Sequence, residues 1–103
     1  MAYKLIITDE ANDDIDEIIG YISNVLKNPA AAGSLLSEIE KSYDTISHSP
    51  ESFPYCKDKY LRTKGYRKII VKNYTIFYRV APDANIVYIM RVIYSKRDYA
   101  NII

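Results

Sequence analysis

Three strand-like segments follow one another almost without a gap in the second half of this chain: Tyr66 to Lys72, Tyr74 to Val80 and Ile86 to Tyr94, parted by Asn73 and by Pro82-Asp83-Ala84-Asn85. Their β-branched and aromatic residues favour extended backbone, and Asn, Pro and Asp are turn formers. A parallel pair needs a crossover of a dozen or more residues, so connections this short leave only antiparallel hairpins. The two later strands are apolar on both faces. One face is expected to meet helices, and the other to carry exposed arginines and tyrosines.

The helices are written upstream. Tyr3 to Thr8 reads as one more short strand, with Thr8 placed as a helix N-cap. Ala11, Ile15, Ile18, Ile19, Ile22, Val25 and Leu26 then recur at spacings of three and four, and Asp9, Glu10, Asp13 and Asp14 place negative charge in the first turns. Gly20 is the weak point of that helix. Asn28-Pro29 stops it and starts another, with Asn28 as N-cap and Pro29 in the first helical position. Ala32, Leu35, Leu36, Ile39, Tyr43 and Ile46 form the second stripe, which ends at Ser49-Pro50. Helices joined so tightly pack as an antiparallel pair. Glu51 to Gly65 shows neither period and reads as a loop that partly orders on the body. The expected fold is α+β: a strand, an antiparallel helical hairpin, then a three-stranded antiparallel meander completing a small sheet. At 103 residues it forms a single domain spanning 1–103.

Charge divides the same way. Up to Glu51 there are ten carboxylates against three lysines, a net of −7; from Ser52 onward there are eleven bases against three aspartates, a net of +8. Eight of the eleven tyrosines lie in the basic part, so cations and aromatic hydroxyls interleave, as suits an acidic or polyanionic partner. Cys56 is the one cysteine, which rules out an internal disulfide and a cysteine-based zinc site. No apolar run approaches bilayer length and no secretory leader is visible, so a cytoplasmic protein without a membrane partner is expected. His48, near a helix end, reads as a capping charge, and the carboxylates at the first helix start read as solvated, without metal-ligand spacing; no metal or cofactor is expected.

Several pieces together give this chain a resemblance. They are Ala11-Asn12-Asp13-Asp14-Ile15 at a helix start, Asn28-Pro29 with Ala31 and Ala32, the stop at Pro50, the block R-x-x-x-V-x-N-Y-x-I-x-Y-x-V from Arg67 to Val80, and the ending R-V-x-x-x-x-R-D from Arg91 to Asp98. In this order they resemble the RelE/ParE toxins of bacterial type II toxin–antitoxin systems, over nearly the whole chain. The resemblance implies a cognate antitoxin as partner, a homodimer or a toxin–antitoxin hetero-oligomer, and one of two targets: the ribosome with its mRNA, or DNA gyrase.

The RelE-like branch cuts mRNA, which requires a base for the 2′-hydroxyl, cations for the phosphate and an acid for the leaving oxygen. The resemblance places Arg67 and Ile69 near its Lys-x-Lys pair, Thr75 at its third-strand arginine, Arg97 at its late arginine, Tyr99 near its C-terminal tyrosine and Tyr94 near the histidine of related nucleases. Arg67, Arg79, Arg91, Arg97, Tyr94 and Tyr99 are thus the catalytic candidates if the protein is a nuclease. The ParE-like branch inhibits gyrase by binding, with Lys64, Lys68, Lys72, Arg91 and Arg97 as candidate contacts. Thr75 in place of an arginine favours this second branch. Convergence of Arg67, Arg79, Arg91, Arg97 and a tyrosine on one concavity would favour the nuclease; scatter would favour the inhibitor. Outside the family, a plain nucleic-acid-binding sheet presenting Lys, Arg and Tyr is the competing reading, with a steep salt dependence as its signature.

Overall fold

A computed structural model describes residues 2–103. The chain runs β1 (Lys4–Ile7), α1 (Asp9–Gly20), a π-helical turn (Tyr21–Val25), α2 (Pro29–His48), α3 (Lys59–Thr63), β2 (Arg67–Val71), β3 (Tyr74–Ala81) and β4 (Ile86–Tyr94). The sheet order is β1-β4-β3-β2. β2, β3 and β4 form the antiparallel meander, and β1 pairs with β4 in parallel, Lys4 opposite Ile86 and Ile7 opposite Ile89.

Local chemistry sets the element ends. The Thr8 hydroxyl accepts from Ala11 N–H at 3.2 Å and starts α1, while the Asn28 side chain accepts from Ala31 N–H at 3.1 Å and starts α2, with Pro29 in its first turn. In the β2–β3 turn Lys72 takes φ of 54°, a left-handed conformation without a glycine to relieve it.

One stripe does not continue as its spacing predicts. After Gly20 the backbone widens: Leu26 N–H bonds to Tyr21 O, five residues back, at 3.0 Å. A π turn inserts rotation that a 3.6-residue period does not contain, and it starts where glycine gives the weakest helical preference. Ile22 still packs on the core, but Val25 and Leu26 emerge 63% and 55% exposed.

Two cores lie on opposite faces of the sheet. On one, Ala11 of α1 and Leu35, Ile39, Tyr43 and Ile46 of α2 pack on Val71, Ile76, Tyr78, Val87, Ile89 and Val92. The other face is less open than the strand pattern predicts. The segment between α2 and β2 folds over it, and Cys56, Leu61 and Tyr66 bury against Phe77 and Ile93, joined by Met90, Tyr99, Ile102 and Ile103. The loop expected from Glu51 to Gly65 therefore contains a short helix, capped by the Asp58 carboxylate on Leu61 N–H at 3.0 Å, that closes a second core. Burial pushes the Cys56 thiol above its usual range, as for a packing residue.

A bulge separates the two ends of the meander. Phe77 pairs with Arg91 but Tyr78 pairs with Ile89, so Met90 is an extra residue in β4. β1 also ends opposite Ile89. Beyond that point the outer edge of β4 has no strand beside it.

Candidate functional site

The unpaired edge of β4 is where a groove opens. Its volume is about 690 Å³, and α1 and the π turn form one wall through Asp14, Glu17, Ile18, Tyr21 and Leu26. The other wall is Asn73-Tyr74 and Arg91 to Tyr94, with Arg97 at the margin. Asp14, Glu17, Ile18 and Tyr21 reach it together because three- and four-residue steps share a helix face. A smaller recess of about 260 Å³ shares Leu26, Asn73 and Tyr74 and continues toward Lys72, Ala31 and Leu35. The two make one furrow between the helices and the β3–β4 end of the sheet.

At its floor, Asp14 closes the sheet edge. Its Oδ2 accepts from Arg91 Nε at 2.7 Å and from Val92 N–H at 3.0 Å, and its Oδ1 accepts from Arg91 Nη2 at 3.0 Å. The carboxylate thus does for Val92 what a further strand would have done. The Asp14 and Arg91 side chains are only 14% and 23% exposed. The hydrogen bond to Asp14 is the main force raising the Arg91 pKa, so its positive charge is fixed and already partnered. Asp14 was expected among solvated helix-start carboxylates; Asp13 is exposed in that way, while Asp14 is half-buried. The Tyr43 hydroxyl from α2 is buried without a hydrogen-bond partner, and burial, with the Asp14 charge adding, drives its pKa far up.

Aromatic rings line the groove mouth. Tyr74 and Tyr94 meet edge to face, centroids 5.7 Å apart and planes at 68°. Burial raises the Tyr74 hydroxyl pKa, and the nearby Tyr94 and Tyr21 hydroxyls add to the effect. Tyr21 and Leu26 are more than half exposed here. Arg97 is exposed, its backbone N–H bonded to Tyr94 O at 3.0 Å.

Of the residues singled out in the sequence, Arg91, Arg97 and Tyr94 share this groove, and Lys72 lines its extension while donating to the Ser34 hydroxyl at 3.1 Å. The rest lie elsewhere. Arg67 binds the Phe53 carbonyl at 2.7 Å and stacks on Tyr55, its guanidinium carbon 3.9 Å from the ring centroid. Arg79 is exposed and stands 5.7 Å over the Tyr66 ring. Tyr99 packs on Phe77 in the second core, centroids 4.9 Å apart. Lys64 lies 5.6 Å above the Tyr60 ring, and Lys68 follows Arg67 on β2. Thr75, at the third-strand position, is 4% exposed and its hydroxyl is engaged with Ser95 Oγ at 2.8 Å. Asp14, Glu17, Tyr21, Leu26 and Tyr74 were not singled out for the site; the only signal was Gly20, which breaks the helix just before Tyr21. Among the described residues no cluster of His, Cys, Asp or Glu could hold a metal ion, and no helix is long and apolar enough to cross a membrane.

Residues 5–99 match the family profile of the ParE toxin of the type II toxin–antitoxin system parDE. No match was found among curated proteins. Solved structures share the fold. The chromosomal ParDE system of P. aeruginosa superimposes with a TM-score of 0.74 at 18% identity, covering 92% of this chain and 98% of that one. A double-arginine variant of the E. coli toxin RelE in the free state gives 0.68 at 15%, covering 98% and 92%. The RelBE2 toxin–antitoxin complex of Mycobacterium tuberculosis gives 0.64 at 17%, covering 91% and 99%.

Proposed function

Because this chain belongs to the ParE toxin family of type II toxin–antitoxin systems, we propose that it arrests growth by binding DNA gyrase, and that a cognate antitoxin neutralises it by lying in the furrow. The observation that carries the binding reading is that three of the cations a nuclease needs are already engaged by the protein's own groups. Arg67 is tied to a loop carbonyl, Arg79 stands over Tyr66, and Arg91 is neutralised by Asp14. Thr75 is sealed beneath Ser95, where no phosphate reaches it. General acid–base cleavage requires such groups within hydrogen-bond reach of one another. The furrow, with exposed Tyr21, Leu26 and Tyr94 and with Arg97 and Lys72 along it, suits an amphipathic segment that presents acids to the cations.

The test is to induce the protein without its antitoxin and compare plasmid supercoiling with transcript integrity. Altered supercoiling over intact transcripts is the expected result. Cut transcripts with normal topology would replace this reading with a ribosome-dependent mRNA nuclease built on Arg91, Arg97 and Tyr94, the three candidates that share the groove. The groove variant Tyr21→Ala with Leu26→Glu is expected to escape neutralisation by the antitoxin.

A further inference from the structure

The segment that covers the second face of the sheet carries a feature the furrow does not explain. Between Tyr55 and Lys68 there are six bases, Lys57, Lys59, Arg62, Lys64, Arg67 and Lys68, against Asp58 alone, and the Asp58 carboxylate is occupied as the cap of α3. Two tyrosine rings stand out of this cationic surface, Tyr55 at 47% and Tyr60 at 59% exposed. Each is paired with a cation, Tyr55 with Arg67 at 3.9 Å and Tyr60 with Lys64 at 5.6 Å. Arg67 is itself held by the Phe53 carbonyl at 2.7 Å, and Tyr55 bridges to Arg67 as a single extended pair at the edge of the sheet. The Tyr55 ring is therefore fixed before any partner arrives. No residue from 55 to 68 lines the furrow.

Solvated cations alone would need no exposed rings, and exposed rings alone would be a liability. Together they match one chemistry: phosphates for the cations and unstacked bases for the flat faces. A duplex keeps its bases stacked inside, and α3, at five residues, is too short to read a groove. The geometry points to a site for single-stranded nucleic acid on the Tyr55–Lys68 segment, with bases stacking on Tyr55 and Tyr60 and the backbone running past Lys59, Lys64 and Lys68. An acidic protein surface would use the same charges but would gain no more from an aromatic ring than from an aliphatic side chain of similar size.

The probe is a fluorescently labelled twelve-residue oligothymidylate titrated with the purified protein. Binding in the micromolar range at about 50 mM salt is expected, weakening about 50-fold at about 200 mM if four phosphates are contacted. Tyr55→Leu with Tyr60→Leu should weaken it at least tenfold while Tyr55→Phe with Tyr60→Phe leaves it unchanged, because stacking needs the ring and not the hydroxyl. Both positions changed are exposed rings, so unaltered thermal melting is the check that each variant is folded. Absence of binding overturns the inference. So does a leucine variant that binds as well as the parent, or displacement by polyglutamate as effective as by unlabelled oligonucleotide, which would assign the patch to an acidic protein. The titration contains neither gyrase nor ribosome, so a negative result removes this site without touching the target proposed above.

Discussion

Asp14 is the side chain whose removal tests most of the argument at once. It supplies the acceptor for three donors, Arg91 Nε, Arg91 Nη2 and Val92 N–H, at 2.7, 3.0 and 3.0 Å. Truncating one partner of a fully buried pair costs about 3–5 kcal/mol. With 14% and 23% of the two side chains exposed, solvent repays part of that, and a loss of about 2–3 kcal/mol is expected for Asp14→Ala, in line with charged hydrogen bonds worth about 1.5–3 kcal/mol. In a domain of this size that lowers Tm by about 10–20 °C. Arg91→Ala should cost less, because Asp14 then keeps the Val92 amide, and the double variant should reveal a coupling of about 1.5 kcal/mol. Asp14→Asn should behave nearly as badly as alanine, since its amide presents N–H groups toward the guanidinium. The assay is urea unfolding of the four proteins of the cycle, with hydrogen exchange at the Val92 amide as the local readout. A loss under about 0.5 kcal/mol, or coupling near zero with Val92 still protected, would refute the claim that this carboxylate holds the sheet edge.

Replacing tyrosine by phenylalanine should act in opposite senses at two buried positions, Tyr78 and Tyr43. Tyr78 donates to Pro50 O at 2.7 Å, so Tyr78→Phe should cost about 1–2 kcal/mol, whereas the unpartnered Tyr43 hydroxyl near Asp14 makes Tyr43→Phe neutral or stabilising by up to about 1 kcal/mol, both read by urea melts. Burial pushes the Tyr78 pKa up to about 12 and Tyr43 higher, so the folded state holds protons that the unfolded chain releases near pH 10. Stability is then complete below about pH 10 and falls as pH rises toward and past 12; ionisation of Tyr78 near 10 in a folded protein, followed by tyrosinate absorbance, would contradict this. Lys72→Gly should raise stability by about 0.5–1 kcal/mol by relieving its positive φ, less the exposed bond to Ser34, as a shift in the urea midpoint.

What could be read from the sequence was local. Thr8, Asn28-Pro29 and Pro50 mark their boundaries within one turn of the residues they affect, and the short loops around Asn73 and Pro82 admit a single kind of pairing. The rest depends on partners far along the chain. Nothing near Asp14 distinguishes it from Asp13, because what makes it half-buried is β4, 77 residues away. The lid formed by Cys56, Leu61 and Tyr66 was invisible for a related reason: α3 is a five-residue helix, too short to show a period. Val25 and Leu26 followed the helical spacing and still came out exposed, since a pattern of residues does not encode a change in residues per turn. For the site, Arg91, Arg97 and Tyr94 were brought together, whereas Arg67, Arg79 and Tyr99 were drawn away by Tyr55, Tyr66 and Phe77.

The parallel pairing of β1 with β4 also dictates when the molecule can exist. Lys4 and Ile7 have their strand partners at Ile86 and Ile89, and Asp14 finds its donors only at Arg91 and Val92. During synthesis the first strand emerges with nothing to pair to, and the edge-closing carboxylate with nothing to close. A chain halted before Ile86 contains the residues of α1, α2, α3 and the β2–β3 hairpin but no finished sheet and no furrow. Contacts spanning so much of the chain make folding slow relative to helix formation. They also tie the native state to completion of the last strand, so the furrow forms only once β4 is in place.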